Sequence, residues 1–72
     1  MKYYLNMNVQ QNGDHETHKE SCAFYQLHRT GGNYVYLGTF GNDYDALYSA
    51  KRKYPYFTVD GCYYCCKSIH KH

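Results

Sequence analysis

Two distant segments of this chain each offer a pair of side chains suited to binding a metal ion. Near the N-terminal end, His18-Lys19-Glu20-Ser21-Cys22 spaces a histidine and a cysteine four residues apart. That spacing sets both side chains on one side of a helical turn or tight loop. Near the C-terminal end, Cys62-Tyr63-Tyr64-Cys65 is a C-x-x-C pair directly after the turn dipeptide Asp60-Gly61. A pair presented on such a turn lets two thiolates reach one ion. Together His18, Cys22, Cys62 and Cys65 make a tetrahedral Cys3His set, a donor set that favours Zn2+. An ion held there ties the N-terminal loop to the C-terminal turn.

Size explains why such a clamp matters. Seventy-two residues form one domain, spanning 1–72. Apolar burial at this length leaves roughly 3–5 kcal/mol of net stability, so small domains use disulfides or a metal. Structural zinc contributes an apparent ~10–16 kcal/mol, much of it folding energy. The apolar residues do not compensate. Eleven tyrosines and three phenylalanines supply much of them, which implies a thin core edged by rings whose hydroxyls stay wet.

Alternative ligands are few. Cys66 can replace Cys65, although C-x-x-C is the commoner spacing in structural sites. Otherwise Cys66 is a small core residue. His15 can replace His18, and its plainer role is a solvated loop histidine. His28, His70 and His72 read as exposed. A disulfide scaffold needs an exported protein, with adjacent Cys65 and Cys66 bonding different partners. The first residues have no apolar h-region, so no secretory signal is expected and the chain is placed in the reducing cytoplasm, where clustered cysteines bind metal more often than they pair. Three thiolates and an imidazole fill a zinc shell, which argues against an enzyme.

Along the chain, residues 2–9 alternate in a strand period, with Tyr3, Leu5, Met7 and Val9 on the buried face. Residues 10–20 are polar and contain the turn Asn12-Gly13, so they read as a loop. The run Tyr34–Phe40 is rich in strand formers after the Gly31-Gly32-Asn33 turn. Asn42 caps a helix whose start is acidic (Asp43, Asp45) and whose end is basic (Lys51, Arg52, Lys53) before Pro55 stops it. Residues 56–59 suggest a short strand, and 67–72 a mobile tail. The expected fold is α+β: a small antiparallel sheet of about three strands, one helix across a face, and a structural zinc site at one end.

The net charge of +2 is too weak to argue for nucleic acid by itself. Lys51, Arg52 and Lys53, with tyrosines nearby, suit phosphate contacts and base stacking, or else simply complete the helix dipole. No apolar run reaches the length of a membrane span.

The segment Asn12-Gly13-Asp14-His15-Glu16-Thr17-His18-Lys19-Glu20-Ser21-Cys22, with Asp60-Gly61-Cys62-Tyr63-Tyr64-Cys65-Cys66, resembles short uncharacterised bacterial zinc-binding proteins. More distantly, the order of His18–Cys22, Tyr36–Phe40, Asp45-Ala46 and Cys62–Cys65 resembles the metal-binding domain of Ada-type DNA repair proteins. Those domains usually begin their ligand set with cysteine and transfer a methyl group to one cysteine; here the first position is His18. The resemblances imply a zinc module. Three roles are expected of it: a non-enzymatic module that binds nucleic acid or protein, a phage or mobile-element accessory protein acting on a host protein, and a thiolate-reactive sensor or alkyl acceptor.

Overall fold

A computed structural model describes residues 1–71. The chain is α+β. It holds four strands, β1 (Lys2–Asn6), β2 (Asp14–Lys19), β3 (Tyr34–Thr39) and β4 (Thr58–Gly61). Two helices, α1 (Ala23–His28) and α2 (Asp43–Lys53), and a short 3-10 turn at Lys67–Ile69 complete it. The sheet order is β3-β1-β2-β4. β1 runs antiparallel to both β2 and β3, whereas β2 and β4 are parallel.

Alternation along β1 builds a different layer on each face of the sheet. Tyr3 and Leu5 join Leu37, Ala46, Leu47, Ala50, Cys66 and Ile69 in the main core beneath α2. Tyr4 belongs to a second, smaller cluster with Cys22, Tyr25, Tyr34 and Cys62 on the α1 side. The Tyr3 hydroxyl donates to Asp43 Oδ1 at 2.6 Å, joining β1 to the start of α2.

α2 forms as its sequence requires. The Asn42 side chain accepts the Asp45 N–H at 2.9 Å, and the Tyr54 N–H closes the helix on the Ala50 carbonyl before Pro55. Its apolar face, with Ala46, Leu47 and Ala50, lies on the sheet.

Four expectations change. Residues 10–20 are not a loop throughout. After a turn in which Gly13 takes φ +90°, they form the central strand β2. Its polar side chains are buried because β1 and β4 satisfy its backbone on both sides. Val9 is exposed rather than buried, because β1 ends at Asn6 and the chain turns away. The sheet has a fourth strand and a parallel pair, and α1 is a second helix.

Finally, the segment expected to be a mobile tail is docked over 67–71; His72 lies outside the described residues. Ile69 is buried against Gly61, where an added Cβ would collide with Ile69 and lie 2.6 Å from the Cys66 carbonyl oxygen. His70 Nδ1–H donates to the Gly61 carbonyl at 2.9 Å, and the Lys71 N–H donates to Asp60 Oδ1 at 2.8 Å. His70 is therefore half-buried, not exposed as expected.

Candidate metal centre

Three pieces of chain converge on the α1 side of the sheet. His18 comes from the end of β2. Cys22 caps the start of α1, where Gln26 N–H donates to its carbonyl at 2.9 Å. Cys62 and Cys65 come from the turn that follows β4. That turn is fixed at both ends: the Cys62 N–H extends the ladder to the Thr17 carbonyl at 3.0 Å, and the Cys66 N–H closes on the Cys62 carbonyl at 2.8 Å.

The convergence has the dimensions of a metal site. One ligand atom from each of His18, Cys22, Cys62 and Cys65 lies within 4.8 Å of every other. Zn–S bonds of about 2.3 Å and Zn–N bonds of about 2.0 Å at tetrahedral angles put sulfurs about 3.8 Å apart and sulfur from nitrogen about 3.5 Å. Cys22 Sγ stands 3.9 Å from Cys62 Sγ and 3.6 Å from His18 Nδ1. His18, Cys22 and Cys62 are buried and Cys65 is half-buried.

The surroundings complete the pattern. With Nδ1 toward the sulfurs, His18 Nε2 faces Glu16 Oε1 at 3.6 Å. A carboxylate behind a ligating imidazole fixes its tautomer and orientation. Tyr34 meets the His18 ring edge-on at 5.8 Å, and Tyr25 meets Tyr34 the same way at 5.1 Å. Tyr4 stacks on Tyr25 at 4.4 Å. The Lys19 N–H donates to Cys65 Sγ at 3.4 Å, the kind of amide-to-sulfur contact that supports a thiolate.

Without a cation the thiols hold their protons. The hydrogen bond with Cys65, followed by burial, pushes Cys62 up from 9.0 to about 11. For Cys65 the bond with Cys62 pulls down, but the Cys66 thiol and burial outweigh it, and the thiol is raised. Burial first, then the Asp60 and Asp14 carboxylates, raise Glu16 against the opposing His70. A divalent ion offsets the charge that three crowded thiolates would otherwise direct at one another.

The remaining candidates fall elsewhere. Cys66 is outside the four-residue group; it is fully buried in the α2 core, its Sγ 3.7 Å from that of Cys65. His15, the alternative histidine, stacks on Phe57 at 3.9 Å and donates from Nδ1 to the Asn6 carbonyl. Lys53 donates to the Leu37 carbonyl at 3.1 Å, leaving Lys51 and Arg52 as the exposed pair of the basic run. Glu16 was missed by the sequence reading. Residues two apart on a strand share a face, and that signal is invisible while the segment reads as a loop.

No family model, curated protein or solved structure matches the chain. Among the described residues, no helix is long and apolar enough to cross a membrane.

Proposed function

We propose that this chain is a small non-enzymatic zinc module, its fold fixed by one Zn2+ held by His18, Cys22, Cys62 and Cys65, and that it works by binding a partner. The observation that carries the reading is the agreement between the sulfur–sulfur and sulfur–nitrogen spacings, 3.9 and 3.6 Å, and the edges of a zinc tetrahedron. Zinc suits the set because thiolate and imidazole are its preferred donors. Four protein ligands leave no position for substrate, so the ion is structural.

A protein partner is favoured over nucleic acid. Lys53 is engaged with β3, and Tyr54 is stacked on Phe57 at 5.0 Å, which removes both from a phosphate-and-stacking surface. The alkyl-acceptor role asks for an accessible thiolate, and Cys22, Cys62 and Cys66 are buried.

Native mass spectrometry tests the metal reading. The purified chain is expected to carry one zinc, to lose it to a strong chelator, and to unfold as it does so. A metal-free chain that is fully ordered, or one whose mass shows disulfides, overturns the proposal.

A further inference from the structure

Beside the metal centre, between β2, α1 and the Cys62–Cys65 turn, lies a cavity of about 620 Å³. That size suits a small ligand group. Its chemistry is one-sided. Glu16 is the carboxylate that lines it, and among the described residues no lysine or arginine does. Asp60 is the register partner of Glu16 on β4, and Asp14 lies two residues before it on the same strand, so that region is negative.

The wall facing solvent is aromatic. Phe24 and Tyr64 stack at 4.6 Å, and Tyr63 stands at 89° to Tyr64. Both rings of the stack are exposed. Lys67 Nζ already lies 5.5 Å from the centre of the Tyr63 ring, so this cluster accepts a cation from within the chain. Side-chain amides of Asn8 and Gln10 line the cavity as well.

A carboxylate, ring faces and amide oxygens repel phosphate and attract a cation. They suit one cation in particular. A guanidinium is planar and weakly hydrated, stacks on aromatic faces, and carries five donors that fork onto a carboxylate. An ammonium is a strongly hydrated point charge that gains less from ring faces. We propose that this cavity receives a guanidinium group, the side chain of an arginine presented by a partner protein. The proposal rests on the reading of the chain as a partner-binding module, and not on which ion fills the metal centre.

The test is a titration of the metal-loaded chain, followed by ¹H–¹⁵N NMR, with N-acetyl-arginine methylamide as probe. Its citrulline counterpart, the neutral analogue of the same shape, is the control. Saturable shifts at Gly31, Gly32 and Tyr34 with the arginine probe, absent with citrulline, are the expected result. Glu16→Gln should weaken binding by about tenfold, and Tyr64→Ala by roughly threefold. Tyr64 is exposed and outside the ligand set, so its variant tests the cavity even where Glu16→Gln disturbs His18. Equal response to citrulline, no saturable shift on the folded chain, or tighter binding of guanosine monophosphate or trimethyl-lysine would each overturn the assignment. Zinc content measured on the same samples separates failure of this proposal from failure of the metal reading.

Discussion

Ile69→Ala probes a part of the fold that the sequence conceals. Ile69 is 3% exposed and packs where Gly61 leaves no Cβ, so its side chain plugs the end of β4 against the α2 core. Cutting a buried isoleucine back to alanine costs about 2–5 kcal/mol through lost transfer energy and the cavity left behind. The upper half applies if the neighbours cannot collapse, and two of them, Gly61 and the Cys66 carbonyl, are backbone. A domain of this size unfolds with an m-value near 1 kcal/mol/M in urea. The midpoint should therefore fall by about 2–5 M. The comparison must be made at fixed free zinc, because the ion adds stability by mass action. The metal-loaded variant is expected to remain folded in buffer, since the ion supplies more than the side chain removes. A midpoint within about 0.5 M of the parent would show that residues 67–71 contribute nothing and would refute the docked arrangement.

Two further outcomes follow from the metal centre. Cys65→Ser should lose zinc in a chelator competition, whereas Cys66→Ser should keep it and show only the thermal destabilisation of a core polar substitution; the reverse order would exchange the two residues' roles. Zinc affinity should rise with pH. The metal-free Cys62 keeps its proton up to about 11, so the ion must displace that proton throughout the neutral range. Competition assays from pH 6 to 8 should show affinity climbing without a plateau. The sign for the metal-free chain is opposite: a raised thiol pKa favours folding below 9.0, and that contribution fades as pH rises through about 11. A flat affinity profile would mean that the thiols are not the ligands.

What the sequence disclosed depended on how local each signal was. α2 was readable end to end because Asn42, Asp43, Asp45, the basic last turn and Pro55 act within a few residues of one another. The ligand set was readable because its spacing is chemical rather than structural. β2 was not. Asp14-His15-Glu16-Thr17-His18-Lys19 carries no apolar alternation, yet Thr17 is fully buried and His18 nearly so. Its place in the centre of the sheet comes from partners on both sides and from the site it builds. α1 is only six residues long, too short to hold by propensity, and it depends on Tyr25 and Cys22 packing against the sheet. The docking of residues 67–71 required knowing that Gly61 and Ile69 meet, which no periodicity reveals.

The parallel pairing of β2 with β4 has a kinetic consequence. Asp14 meets Thr58, and Thr17 meets Gly61, across most of the chain. Ladders between such remote partners close late, since the loop entropy must be met before any pair is gained. During synthesis the first hairpin emerges with one edge of its central strand still without its neighbour. The sheet is finished only when Thr58–Gly61 has left the ribosome, and Cys62 and Cys65 follow within the next few residues. Strand completion and ion capture are thus nearly simultaneous, and metal supply at that moment sets how many nascent chains reach the folded state.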